Sequence, residues 1–334
     1  MVDSFYKLNW NTLYPIKTYV QSDEDDVPYE GKNSYEAKPV FPHELASQAG
    51  KNFGQIAATP YGNSMTLLMA KEAVEAEQLG KDAITDFLAI SLSSTDYVGH
   101  QFGPNSIEIE DTYLRLDKDL ASFFTFLDAK VGKGNYTVFL TADHAVAHTP
   151  GFMQAHKLPA ASLSFSPNAI QLAVYEKFGV QNVVLSTENY QLYLDDKAID
   201  AAKADKEAIK KFIIGMLNEN KDILLAFDTE EISEVNLPKE VKEMFVKGFN
   251  AKRGGDIQII LKSGYFYGGK TGTTHGTWYP YDAHIPLLWM GWGIKTGKTN
   301  NTCYMTDIAP TVAALLHIQM PSGCVGKPVT EVLK

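Results

Sequence analysis

The apolar positions along the chain fall into helical stripes and short unbroken runs. Between Gly62 and Gly80, Leu67, Leu68, Ala70, Ala73 and Val74 recur at helical spacing, with Asn63 or Ser64 where an N-cap is wanted. Phe87 to Leu92 is a short apolar run, the pattern of a strand covered on both faces. Ile107 to Ala129 reads as a second helix, with Tyr113, Leu114, Leu120, Phe123, Phe124 and Leu127 as its buried side. Tyr136 to Thr141 is another buried strand. Strand, loop, helix, strand is a βαβ unit, which implies a parallel sheet with helices on its faces.

After Pro150 the elements become small and alternate. A helix is expected near Asn168 to Phe178, then strands at Asn182 to Leu185 and Tyr190 to Leu194. A charged helix follows from Ala198 to Glu219, a strand at Ile223 to Phe227, a helix near Lys239 to Phe249 and a strand at Asp256 to Leu261. The main sheet resumes at Pro286 to Met290. The helix Thr306 to Leu316 has Asp307 in its first turn, where the helix dipole favours an acid. The expected fold is therefore α/β, a mostly parallel sheet flanked by helices with a small α+β insertion. Residues 1–150 would form the first part of the core, 151–262 a cap-like insertion, and 263–334 the remainder of the core. Residues 1–60, with the acidic cluster Asp23-Glu24-Asp25-Asp26 and scattered Pro and Gly, read as an irregular surface segment wrapping that core.

Composition narrows the partners. At 45% apolar and 21% charged residues, the chain is an ordinary globular sequence. Its net charge is −10 and no Lys/Arg block stands out, so a nucleic-acid polymer is not an expected partner. A metal site can still draw an anionic small molecule into an acidic protein, because the cations dominate the local field. No apolar run is long enough to span a membrane, and Val2 to Tyr14 is too mixed for a signal peptide. Cys303 and Cys324 read equally well as two small buried hydrophobes or as one disulfide, which would need an oxidising compartment.

Three motifs carry candidate chemistry, each at or near an expected strand end, where ligands gather in open α/β sheets. Ser93-Ser94-Thr95-Asp96-Tyr97-Val98-Gly99-His100 places Asp96 and His100 four apart, so both side chains face one point if the chain turns. Thr141-Ala142-Asp143-His144 ends the strand at Thr141; both side chains can reach one metal only if the strand has stopped by Asp143. Thr271-Gly272-Thr273-Thr274-His275-Gly276 is a Gly/Thr loop before Tyr279-Pro280-Tyr281-Asp282. Carboxylate and imidazole are good zinc ligands. Each motif alone is weak, since a lone Asp–His pair is more often a hydrogen-bonded surface pair. His43, His156, His317, His148 and His284 lie outside the motifs; His148 could support a metal ligand, but for His148 and His284 the ordinary loop or core reading is preferred.

In combination the motifs resemble the alkaline phosphatase superfamily, closest to the bacterial monomeric alkaline phosphatases and the type I phosphodiesterase/nucleotide pyrophosphatases. The carrying residues are Asp96-x-x-x-His100 with Gly103-Pro104, Thr141-Ala142-Asp143-His144, His275-Gly276 with Asp282, and the C-terminal Ile308-Ala309-Pro310-Thr311-Val312 and Pro321-Ser322-Gly323. The resemblance runs from about Tyr14 to the C-terminus. It implies a metal-dependent phosphohydrolase with two Zn2+. Asp96, His100 and His275 would bind one zinc, Asp143 and His144 the second. The activity implied is that of an alkaline phosphatase on phosphate monoesters, through a phospho-Thr or phospho-Ser intermediate. The alternatives are a phosphodiesterase/nucleotide pyrophosphatase and a non-catalytic metal-binding domain that keeps the metal for structure.

In that pattern the second zinc also takes an Asp and the Thr or Ser nucleophile from a segment that would precede Met1. No catalytic nucleophile is identifiable in this chain, and the second zinc site is incomplete in it. The hydroxyls of Thr59-Pro60-Tyr61-Gly62-Asn63-Ser64 are assigned no nucleophilic role. The expectation is a C-terminal portion that binds zinc and turns over phosphate esters feebly. Ala145 stands where the pattern has Gly, which is tolerable unless the backbone needs a positive φ there. The substrate would be a small phosphate ester, the oligomeric state a monomer, and the location periplasmic or secreted.

Overall fold

A computed structural model describes residues 2–163 and 166–334, without the side chains of residues 2 and 3. The chain divides into two compact units: Met1–Val27, Lys32–Ala145 and His284–Lys334 form the first, Pro28–Gly31 and Val146–Ala283 the second. The second unit therefore runs past the expected insertion and includes the His275 loop.

In the first unit, α1 (Val2–Phe5) is a single turn, followed by α2 (Pro60–Ala76), α3 (Ser94–Phe102) and α4 (Ile107–Leu127). Strand β1 (Thr137–Thr141) pairs with β8 (Leu287–Gly291), and α11 (Ile308–Leu315) follows. Helix α2 starts without a side-chain cap, because Pro60 at its first position has no N–H to satisfy. The two expected caps work elsewhere: Asn63 bonds Thr95, and the Ser64 hydroxyl donates to Asp119 at 2.5 Å. Helix α4 is capped by Ser106, whose Oγ accepts from the N–H of Ile109. Leu67, Ala70 and Val74 of α2 pack on Phe123 and Leu127 of α4.

Four expectations for this unit need correction. Phe87 to Leu92 forms no strand; Phe87 is 68% exposed and Leu88 38%. The β1–β8 ladder is antiparallel, with Phe139 opposite Trp289, so the α/β class stands but the parallel direction does not describe this pair. Nor are β1 and β8 the buried strands expected, since no residue of either is fully buried and Leu288 is 60% exposed; direction and pairing depend on which neighbour supplies the hydrogen bonds. On α4, Tyr113 is exposed, and the most deeply buried positions near its start are polar: Glu108, Asp111 and Thr112.

Those polar groups hold parts of the irregular N-terminal segment, Trp10 to Tyr19 above all. Asp111 accepts from Trp10 Nε1 (2.7 Å), the Leu13 N–H (2.6 Å), the Tyr19 hydroxyl and Arg115 Nε (2.6 Å). Burial and the Asp111 contact push the Tyr19 phenol up to about 12. Trp10 and Leu45 are fully covered and share a cluster with Val98 and Phe102 of α3.

In the second unit, α5 (Pro150–Ala155), β2 (Ala161–Ser162) and α6 (Pro167–Phe178) lead into β3 (Val184–Glu188) and β4 (Gln191–Leu194). Then come α7 (Asp196–Ala201), α8 (Lys206–Asn218), β5 (Ile223–Asp228), α9 (Lys239–Gly248), β6 (Ile257–Leu261), β7 (Tyr265–Phe266) and α10 (Pro280–Ala283). The main sheet has the order β3-β4-β6-β5 and is antiparallel throughout; β2 and β7 form a separate parallel pair. Every residue of β6 is buried, as its central position requires. The single charged helix expected over 198–219 is two helices. Lys203 takes a left-handed φ of 52°, and Asp205 caps α8 by accepting from the N–H groups of Glu207 and Ala208. Lys210 of α8 is buried between Asp228 and Glu207, both at 2.6 Å.

Candidate metal centre

Helix α3 is built to hold Asp96 and His100 together. Its buried stripe is Ser94, Val98 and Phe102, spaced four apart. Asp96 and His100 each lie two residues from a member of that stripe, about 200° around the helix. Their face is therefore opposite the core. The motif sits on a helix and not on the loop that the sequence suggested, and the helix gives the i,i+4 pair a rigid base.

Helix α2 fixes the start of α3. A Cβ at Gly62 would stand 2.0 Å from Ser94 Oγ, so only glycine permits this approach. One residue later, Asn63 is 1% exposed and its Nδ2 donates to Thr95 Oγ1 at 3.0 Å. The first turn of α2 thus seats the residue next to Asp96. Sequence reasoning missed it, because a helix start reads as a local feature and its partner lies 32 residues on.

The strand condition on Asp143 and His144 is met: β1 ends at Thr141 and the chain turns. Ala145 is not among the described residues with positive φ, so alanine is accommodated there. His144 Nδ1 donates to the Ala145 carbonyl at 2.8 Å. With Nδ1 carrying the hydrogen, a neutral His144 presents the lone pair of Nε2. That Nε2 lies 3.6 Å from Asp143 Oδ2 and 3.8 Å from Asp96 Oδ1. His100 Nε2 lies 3.4 Å from the other oxygen, Asp96 Oδ2. Two imidazole nitrogens thus converge on one carboxylate, one on each oxygen. Asp143 is open, with its side chain 88% exposed, while Asp96, His100 and His144 are half-buried. Oxygen and neutral nitrogen donors at this spacing fit a divalent cation such as zinc.

His275 belongs to the second unit, where its loop is held on three sides. Thr273 Oγ1 donates to the Ala147 carbonyl at 2.6 Å. Asp282, 2% exposed, accepts from the N–H and hydroxyl of Thr277 at 2.8 and 2.6 Å. Gly276 has a φ of 107°, and a Cβ there would approach the Tyr190 ring to 3.3 Å. Of the histidines outside the motifs, His148 stacks on Phe152 at 4.7 Å, and His43 is buried in a polar cluster of the first unit. Both cysteines are free thiols. No helix among the described residues is long and apolar enough to cross a membrane.

Residues 4–284 match the type I phosphodiesterase / nucleotide pyrophosphatase family. Alkaline phosphatase PafA of Elizabethkingia meningoseptica is 50% identical over 327 residues, covering 97% of this chain and 60% of that protein. Alkaline phosphatase PhoV of Synechococcus elongatus is 49% identical over 333 residues, covering 99% of this chain and 60% of that protein. The crystal structure of wild-type PafA superimposes with a TM-score of 0.97 at 49% identity, over 100% of this chain and 64% of that one. The chain thus spans about three fifths of the curated relatives it matches, and over that length it has their alkaline-phosphatase-like fold. With the match covering most of the chain and both Asp–His motifs inside it, the chain belongs to the type I phosphodiesterase / nucleotide pyrophosphatase family.

Proposed function

We propose that this chain supplies metal ligands to a two-zinc phosphohydrolase site, and that the whole protein is an alkaline phosphatase acting on small phosphate monoesters through a phospho-Thr or phospho-Ser intermediate. The observation that carries the reading is the convergence of His100 and His144 on the two oxygens of Asp96. Asp96, His100 and His275 are assigned to one zinc, and Asp143 and His144 to the other. The place of His275 rests on motif order.

Zinc bound there would supply fixed positive charge for phosphoryl oxygens and ready an oxygen nucleophile at neutral to alkaline pH. The chain's own residues provide order. Helix α3 aims one carboxylate and one imidazole from a buried base. The Ala145 carbonyl holds His144 in the tautomer that leaves Nε2 available. Asp282 and Thr273 fix the two ends of the loop that carries His275. The net charge of −10 argues against a nucleic-acid polymer as substrate, and the family resemblance supports a periplasmic or secreted location.

Monoester hydrolysis is favoured because two relatives near 50% identity are alkaline phosphatases. Diester hydrolysis is the second reading, since the family takes its description from it. Rates of the full-length protein on 4-nitrophenyl phosphate and bis(4-nitrophenyl) phosphate separate them. The proposal expects the monoester to react at least about 100-fold faster, and faster diester turnover would replace it with the second reading.

A further inference from the structure

His43 lies outside all three motifs, yet it is 0% exposed. Its Nε2 is 3.1 Å from Glu108 Oε1, and its Nδ1 is 3.1 Å from both oxygens of Glu36. Ionised carboxylates only accept, so bonding on both sides requires a hydrogen on each ring nitrogen. His43 is then an imidazolium between two acids, held by charge-assisted bonds. Its ring also touches three aromatic rings: Phe41 at 4.7 Å, Trp10 at 5.0 Å and Phe102 at 5.2 Å between centroids. Phe102 is the last residue of α3, and Val98, one turn earlier, shares its cluster. Asp96 and His100 project from the opposite face of the same short helix.

We propose that His43 is a positioning residue for the metal centre: clamped between Glu36 and Glu108, it seats Phe102 and so fixes the direction in which α3 presents Asp96 and His100. The inference rests on the metal reading above and extends it to a residue outside all three motifs.

The charged groups around His43 are Glu36 and Asp25 from the N-terminal segment and Glu108 from α4; Trp10, Phe41 and Phe102 bring no charge. Burial alone would lower the imidazole, but the bonds to Glu108 and Glu36 outweigh it and raise His43 to about 9. Because the folded value lies above the ordinary 6.5, the His43 side of the clamp is fully charged below about pH 6.5 and is lost as pH rises through about 9; burial also raises Glu108, so in acid the clamp gives way from that side.

The test compares the full chain with His43→Gln and with His43→Gln/Glu108→Gln. Three readouts are taken: melting of the zinc-free protein from pH 6.5 to 9.5, zinc affinity at pH 7, and the imidazole NMR signals of His100 and His144 without metal. Wild type should lose several degrees of Tm across that range, and the double variant, with neither the imidazole nor the Glu108 carboxylate, should lose little. Zinc affinity should fall about tenfold in His43→Gln. The double variant should regain melting temperature, because no buried acid is left unpaired, but not zinc affinity, because glutamine lacks the ring beside Phe102. The His100 signals should shift in both variants.

Unchanged His100 signals, zinc affinity within twofold of wild type, or affinity that returns in step with Tm would overturn the proposal and leave His43 a purely structural ion pair. If wild type binds no zinc, the metal reading fails, and the His100 signals still decide the positioning role. Should His43→Gln not fold, Phe102→Leu keeps an apolar contact, removes the ring, and carries the same zinc and His100 readouts.

Discussion

Asp96 is the residue on which the site turns, because each of its oxygens faces a different imidazole. Asp96→Asn keeps the shape but removes the charge and one oxygen donor. Zinc affinity should fall at least about 100-fold in a calorimetric titration, while the far-ultraviolet circular dichroism stays that of wild type. Gly62 is equally specific in the opposite sense. Gly62→Ala must push Ser94 away, and urea unfolding should show a loss of about 1–3 kcal/mol. The Asp96–His100 pair was legible in the sequence because four-residue spacing is a local signal. The His43–Glu108 contact was not, since 65 residues separate its partners and each alone is an ordinary histidine or surface acid.

At the scale of the element, α4 works through polar residues. The buried carboxylates of Glu108 and Asp111 hold the irregular N-terminal segment where an apolar stripe would have been expected. Asp111→Asn removes the charge that faces Arg115 and leaves one of the atoms its partners need unable to accept. It should cost about 3–5 kcal/mol and speed amide exchange in residues 8–20. Lys210→Met on α8 strands Asp228 and should cost a similar amount by urea unfolding. Element positions in the second unit were legible because each apolar run there closes on its own sheet. The Phe87 to Leu92 strand failed because a backbone ladder needs a partner that no local pattern reveals. The break between α7 and α8 was written in Asp205, a capping residue inside what looked like continuous helix.

For the whole molecule, the class of fold and the motif order were legible, while the division into units was less so. The His275 loop falls in the second unit with Asp282 and Thr273, and nothing in its apolar pattern marks that membership. The free thiols of Cys303 and Cys324 remove one argument for an oxidising compartment, so cell fractionation has to establish the proposed periplasmic or secreted location.

The central claim is that Asp96, His100, Asp143, His144 and His275 bind metal. Isothermal titration of the metal-free chain with zinc, repeated on Asp96→Asn and His144→Ala, tests it most directly. Wild type should bind zinc with submicromolar affinity, and each variant at least about 100-fold more weakly. Variants that bind zinc as tightly as wild type, or a wild-type chain that takes up none, would contradict it.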